Sequence, residues 1–320
     1  MTNQSTVHEK ITNQIISAME NSRDFQLPWN APDLGLPSNA FTRSTYSGIN
    51  ILSLWASALD KGYLSNRWAT YKQWQAMGAQ VRKGQKASPV VIYKPLPEAE
   101  VNSSTDSISG DNPRLKVLIR TASVFNADQV TGLDDFLETP APETTNPVDP
   151  LHGVDHFIST TCADIRTGGA SAYYSPKNDY ICIPNPESFI GSDTSSPTES
   201  YYSTLLHELT HWTGIEKRCN RDLSGRFGNE SYAMEELIAE LGAAFLCAQL
   251  NISPAPRQDH ADYLASWIKV LSNDVKAIFW ASARASEAVA YLNDLQNNST
   301  AQPLRNVPIP NPGGNQPDTI

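Results

Sequence analysis

The chain is poor in the features that would place it in a secreted or membrane class. Its 320 residues include four cysteines, Cys162, Cys182, Cys219 and Cys247, with no close pair and no C-x-x-C. A thiolate zinc site or a dithiol redox motif is therefore not expected, and a cytoplasmic setting is. No stretch approaches the ~20 consecutive apolar residues that cross a bilayer, so no membrane partner is expected. The opening MTNQSTVHEKITNQ lacks a basic segment leading into an apolar one, so no secretory leader is expected from it. Three catalytic signatures are also missing: G-x-S-x-G, G-x-x-x-x-G-K-S/T, and G-x-G-x-x-G after a strand. What remains is 40 % hydrophobic and 9 % aromatic, the composition of a globular chain rather than a disordered one. At roughly 150 residues per domain, the length suggests about two domains.

A formal charge of −10 argues against nucleic acid until its distribution is considered. Residues 41–95 hold eight bases, Arg43, Lys61, Arg67, Lys72, Arg82, Lys83, Lys86 and Lys94, against Asp60 alone. Residues 98–155 hold eleven acids and three bases. Such asymmetry says more about partners than the total does.

The spacing of Ile11, Ile15 and Met19 predicts a short amphipathic helix, and that of Ile49, Leu52, Trp55 and Leu59 another over 47–61. Thr70 to Gln73 and Ser196 to Glu199 are capping boxes, the second with Pro197 suited to the first helical position. SPVVIYK (88–94) and LKVLIRTASVF (115–125) read as paired strands around a polar insertion, 97–113. The acidic, Pro- and Thr-rich 138–150 reads as a linker. A helix near 153–162, strands SAYYS and DYICI, and a helix ending at about Trp212 follow, with Gly214 suited to a cap. Helices are expected over 232–250 and within 259–296, and a disordered tail over 297–320. The expected partition is thus 1–137, linker 138–150, and 151–296.

The most informative segment is Leu205-Leu206-His207-Glu208-Leu209-Thr210-His211-Trp212. Histidines at i and i+4 stand one turn apart on a helix face, where both can reach one cation. A Glu beside the first can act on a water held there, the H-E-x-x-H arrangement. A catalytic zinc site needs a third ligand. Lys217 stands where a third His of the longer H-E-x-x-H-x-x-G-x-x-H motif would be, so that class is excluded. A carboxylate from the 232–250 helix is the alternative. Glu236 and Glu240 share a face there, Glu236 favoured as ligand and Glu240 as a group orienting a ligand His. Small residues at Ala233, Ala239, Ala243 and Ala244 would let the two helices approach closely. The competing structural reading makes His207 and His211 satisfied core histidines and Glu235, Glu236 and Glu240 a solvated face.

Residues 41–95 interleave their bases with Phe41, Tyr46, Trp55, Tyr63, Trp68, Tyr71, Trp74 and Tyr93. Cations track phosphates, and aromatic faces stack on unpaired bases without reading sequence. Trp55 and Trp74 read as core, and Tyr46, Tyr63, Trp68 and Tyr71 as the exposed candidates. Arg43, Arg67, Lys72 and the turn Val81-Arg82-Lys83-Gly84-Gln85-Lys86 are the candidate phosphate contacts.

In these residues the sequence resembles the ArdC-like antirestriction proteins of conjugative plasmids and the related part of plasmid primases. The matching segments are Tyr46-Ser-Gly48-Ile-Asn50, Trp68-Ala-Thr-Tyr-Lys-Gln73 and Gly78-Ala-Gln-Val-Arg-Lys-Gly84-Gln-Lys86. In the second half they are Asp179-Tyr-Ile, Pro184, Phe189, His207 to Gly214 and Tyr232 to Glu240. The resemblance implies an α+β chain, with a single-stranded-DNA-binding domain before a zincin-like metallopeptidase domain. It implies protection of incoming DNA from host restriction, with a protein of the restriction system as a conceivable substrate. It also supports Glu236 over Glu240 as third ligand. On this reading His207, His211 and Glu236 hold Zn²⁺, with another divalent cation such as Mn²⁺ as the alternative. Glu208 is the general base, and Tyr232 and Arg218 are candidate oxyanion partners. The rival is a non-enzymatic DNA-binding protector with a structural or vestigial metal. The strand at Tyr180–Ile183 is the expected edge for an extended peptide.

Overall fold

The computed structural model describes residues 4–20, 29, 35–95, 117–132, 151–191, 195–224, 230–252 and 260–300. The insertion at 97–113, the linker at 138–150 and residues 301–320 of the expected tail lie outside the described residues, while 297–300, expected in that tail, belong to the last helix. The elements of the first half are α1 (Gln4–Glu20), β1 (Ser38–Asn39), α2 (Ile49–Lys61), β2 (Arg67–Ala69), α3 (Tyr71–Ala76), β3 (Gln80–Val81), β4 (Ser88–Pro95), β5 (Val117–Asn126) and β6 (Val130–Thr131). The second half holds α4 (His152–Thr160), β7 (Asp164–Thr167), β8 (Tyr173–Ser175), β9 (Tyr180–Ile183), α5 (Pro197–Trp212), α6 (Glu230–Leu250), α7 (His260–Asn273) and α8 (Ala277–Thr300). Helices and strands are mixed within each half, as an α+β chain requires.

The first half centres on a sheet of order β1-β2-β5-β4. β4 and β5 pair antiparallel as expected, from Ser88 opposite Val124 to Pro95 opposite Val117. The outer edge of β4 is closed by α2. The Asn50 side chain accepts from Val91 N at 2.7 Å and donates to Val91 O at 2.8 Å. Ser53 Oγ donates to Pro89 O. An amide side chain thus completes the ladder where a neighbouring strand would, which blunts an edge open to pairing with other chains.

The two halves share one core. Ile11, Ile15 and Met19 of α1 are buried with Trp55 of α2, Leu206 of α5, Phe245 of α6, Trp267 of α7 and Ile278 of α8. Burying three such side chains contributes about 1.5–3 kcal/mol each, enough to hold α1 in place. Polar ties cross the halves too. Thr12 Oγ1 donates to Val275 O at 2.7 Å, and Gly48 N to Ser286 Oγ at 2.9 Å. Whatever boundary separates the domains, neither half buries its apolar faces alone.

Both capping boxes form. Thr70 Oγ1 accepts from Gln73 N and Ser196 Oγ from Glu199 N, with Gln73 and Glu199 returning to the cap backbone. Gly214 directly follows Thr213, the cap residue of α5, with an ordinary negative-φ backbone. A Cβ there would meet Leu223 Cδ2 at 2.8 Å and Arg221 Nη2 at 3.0 Å, so close approach of the following loop requires this glycine.

In the second half β7, which the sequence reading missed, pairs parallel with β9, and β8 pairs antiparallel on its other side. Tyr180–Ile183 is therefore the middle strand of a β7-β9-β8 sheet, not an edge. Its backbone is already paired on both sides, so it cannot receive a peptide. The edge strand packed beside α5 is β8.

Asp179 joins this sheet to the end of α5. Its carboxylate pairs with Arg218 and, at 2.7 Å, with Lys217 Nζ, and it accepts from Tyr174 OH at 2.8 Å. Arg218 also lies over the Trp212 ring, 3.8 Å from its centroid. Its guanidinium is thereby committed, so it is not an oxyanion partner. Burial pushes the Asp179 carboxyl up, but Arg218, Lys217 and Tyr174 outweigh it and hold it well below the usual range. A depressed folded-state value means stability that is fully present above the unfolded value of about 4 and is lost progressively as pH falls from there through the lower folded-state value. Asp179→Asn leaves the Arg218 side chain, 4 % exposed, without its counter-charge. The expected cost is about 3 kcal/mol, the low end for a broken buried pair, because Asp179 is 29 % exposed. Thermal melts of the two proteins should differ fully at pH 7, and the difference should begin to shrink only as pH falls below about 4; equal melts at pH 7 would refute the assignment.

Candidate metal centre and nucleic-acid face

Ser196 and Pro197 start α5, which carries His207 and His211 into the core on one face of its C-terminal part, His211 in the last turn. Leu205, Leu206 and Leu209 anchor that helix, each 3 % exposed or less. α6 crosses it closely. A Cβ at Gly242 would lie 2.5 Å from Thr210 Cγ2, so glycine is needed where Thr210, inside H-E-x-x-H, meets α6. The expected alanines flank this contact; the residue that sets it is Gly242.

The approach brings carboxylates to both rings. Nε2 of His207 lies 3.6 Å from Glu236 Oε2, and Nε2 of His211 lies 3.6 Å from Glu236 Oε1. The outer nitrogens face other acids. His207 Nδ1 is 3.1 Å from Glu240 Oε1, and His211 Nδ1 is 3.0 Å from Glu235 Oε1. Ligand atoms of His207, His211 and Glu236 all fall within 4.8 Å of one another, and no other such group occurs among the described residues. This is neither a satisfied core pair nor a solvated face.

Arg221, which sequence reasoning missed, braces the arrangement. Its Nε and Nη2 donate to Glu235 Oε2 and Oε1 at 2.9 and 2.8 Å, and its other contacts are Thr213 Oγ1 and Thr210 O, both at 2.8 Å. One guanidinium therefore ties the loop after α5 to α6 through the carboxylate that orients His211. Glu208 is 3 % exposed beside His207. Tyr232 lies one turn before Glu236 on α6.

The electrostatics follow from setting Glu235, Glu236 and Glu240 against the two imidazoles, with Arg221 paired to Glu235. Burial disfavours the His211 imidazolium, but hydrogen bonds and charges from Glu235 and Glu236 outweigh it and push the pKa up to about 10. Burial likewise raises Glu235 and Glu236, and His211 with Arg221 or His207 reverses this, lowering both. Without a cation these acids hold a proton on the His211 imidazole. Two imidazole nitrogens and a carboxylate converging in surplus negative charge fit a divalent cation of the zinc type.

The basic face is partly rearranged from expectation. Arg43, Lys72, Arg82, Lys83 and Lys86 are exposed, and Tyr46 and Arg67 are half-buried. Arg82 donates to the carbonyls of Asp128 and Val130, so it shapes its own turn. Trp68 is a correction. It is 1 % exposed, packed with Leu54, Ala58, Val90 and Val124, and offers no ring to a base. Tyr71, 41 % exposed, keeps its place, as does half-buried Tyr63. Phe41, 51 % exposed, was passed over.

A mixed α/β fold with H-E-x-x-H on one helix and acids on the next defines a zincin-like metallopeptidase domain, and the zincin-like metallopeptidase family model matches residues 152–284. The model for the N-terminal domain of anti-restriction factor ArdC matches residues 5–125. The chain belongs to the ArdC antirestriction family. It is 37 % identical over 302 residues to the uncharacterized protein y4eC of Sinorhizobium fredii, covering 93 % of this chain and 95 % of that one. It is 34 % identical over 319 residues to DNA primase TraC of Escherichia coli, spanning 93 % of this chain and 28 % of that protein. Crystal structures of the antirestriction ArdC protein from plasmid R388 superimpose on it. The metal-free form has a TM-score of 0.74 at 34 % identity, and the Mn(II)-bound form 0.72 at 35 %. Each covers 91 % of this chain and 98 % of the other.

Proposed function

We propose that this chain is a cytoplasmic antirestriction protein of a mobile element that binds single-stranded DNA. It carries a zinc-dependent peptide-bond hydrolase and protects incoming DNA from host restriction. The observation that carries the reading is the convergence of both Nε2 atoms on Glu236 with an acid behind each Nδ1. That pattern fixes each imidazole with its Nε2 lone pair inward. The Mn(II)-bound relative supports a divalent cation at this place, held by His207, His211 and Glu236.

When bound, the cation supplies Lewis-acid polarisation of a scissile carbonyl and eases deprotonation of water. Glu208 accepts that proton at its carboxylate and returns it to the leaving amine. Glu240 and the Glu235–Arg221 pair keep the imidazoles from turning. β8 offers an extended peptide its outer edge. The site's burial excludes bulk water from these groups, and the substrate is expected among proteins of the restriction system.

The basic residues of 41–95 support the nucleic-acid half of the proposal. Single-strand binding there releases counterions, so affinity falls with salt at about 0.7 log units per phosphate contact per log unit of salt. Removing Lys83 and Lys86 together should flatten the slope by about 1.4. An unchanged slope removes that turn from the interface. The whole reading is tested by plasmid transfer into a restricting recipient. Expression of the full chain should raise transfer, and equal transfer with and without it overturns the antirestriction role.

A further inference from the structure

We infer that Phe41 and Tyr71 form a two-ring platform on which bases of a single strand stack, in the place the sequence gives to Trp68. The inference deepens the single-strand reading and rests on it. Phe41 sits at the tip of a turn that is held closed by its own hydrogen bonds. Asn39 Oδ1 accepts from Phe41 N at 3.0 Å and Thr42 N at 2.9 Å, Arg43 N donates to Asn39 O, and Asn39 N to Ser44 O. Ser38 bridges Thr45 across the turn. A large apolar ring is thus presented to solvent at 51 % exposure by a backbone with little freedom to withdraw it.

Tyr71 is braced in a similar way. Its hydroxyl accepts from Gln80 Nε2 at 2.9 Å, and its ring stands edge-on to Phe125 with centroids 6.5 Å apart. The two rings belong to neighbouring segments. β1 runs parallel to β2, with Asn39 opposite Trp68, and Ala40 N donates to Trp68 O. Asn39 Nδ2 then reaches Gln73 Oε1 of α3 at 3.3 Å. The turn bearing Phe41 therefore lies alongside the start of α3, which bears Tyr71. Each ring has a cation close in sequence, Arg43 and Lys72, both exposed. Rings held outward among cations suit bases joined by phosphates, and not an apolar partner. Duplex bases are already stacked on one another and present no free face, so the occupant is a single strand.

The test measures anisotropy of a labelled oligodeoxythymidylate with the full chain and with Phe41→Ala, Tyr71→Ala and Phe41→Tyr. Each alanine should weaken binding about 5- to 100-fold, Phe41→Tyr should bind as wild type, and the salt slope should not change. An abasic strand of the same length supplies the phosphates without the rings' partners, and on it the alanine variants should match wild type. Alanine variants that bind oligodeoxythymidylate as tightly as wild type overturn the platform and leave the single-strand reading standing. Equal losses on the abasic strand overturn stacking as the cause. A wild-type chain that does not retain the oligonucleotide overturns both readings. Both positions are exposed, so unchanged thermal melts are expected and separate lost contact from lost fold.

Discussion

Alanine at His207 or His211 is expected to abolish retention of one divalent cation per chain after reconstitution with zinc and desalting. The reason is geometric. Each Nε2 stands 3.6 Å from a Glu236 oxygen, so removing either ring leaves two donors where four-coordinate zinc needs three from the protein. Glu236→Ala should behave likewise. Glu240→Ala and Arg221→Ala should weaken binding by about 10–100-fold, the usual cost of losing a group that orients a ligand. Elemental analysis and competition with a chromogenic chelator check this. Retention of zinc by the His207 variant removes the site, and greater loss from Glu240→Ala than from Glu236→Ala exchanges the roles of those acids. Thermal melts add an independent measure, because cation at a hundred times its Kd stabilises the fold by about 2.7 kcal/mol. That gain should be present in wild type and missing in the His207 and His211 variants.

Glu208→Gln is expected to keep the cation, the fold and DNA binding while removing peptide hydrolysis. Glutamine matches glutamate in size but takes up no proton, and loss of a general base costs about 10²–10⁴ in rate. Glu208 is not among the converging ligand atoms, so zinc content should equal that of wild type. Protection of incoming plasmid is the second readout. Its loss together with hydrolysis makes proteolysis part of the function. Intact protection by Glu208→Gln means the chain shields DNA by occupancy, and the hydrolase plays no part in the role.

The reach of the sequence follows the range of the interactions. H-E-x-x-H and the two capping boxes are local, each closed within five residues, and all three stand where their spacing puts them. Glu236 and Glu240 are legible as an i, i+4 pair. Glu235 is adjacent in sequence yet takes its importance from Arg221, fourteen residues earlier on a loop, a pairing that no spacing announces. Gly242 carries a signal that was overlooked. Glycine inside a helix costs about 1 kcal/mol relative to alanine, so its presence in an Ala/Leu-rich helix points to close approach. Trp68 was misplaced for another reason. Strands of two or three residues are too short for alternation to show which side chain faces inward. β7 was missed because Asp164–Thr167 is largely exposed and shows no apolar alternation.

The shared core also sets a timetable for synthesis. Thr12 and its acceptor on Val275 are 263 residues apart, and the apolar face of α1 rests partly on α7. At roughly 5–20 residues per second on the ribosome, α1 waits on the order of tens of seconds for that surface to emerge. During that interval Ile11, Ile15 and Met19 are covered by α2 at most in part. Chaperone capture of the growing polypeptide should therefore centre on its first helix and end only when α7 and α8 have left the exit tunnel.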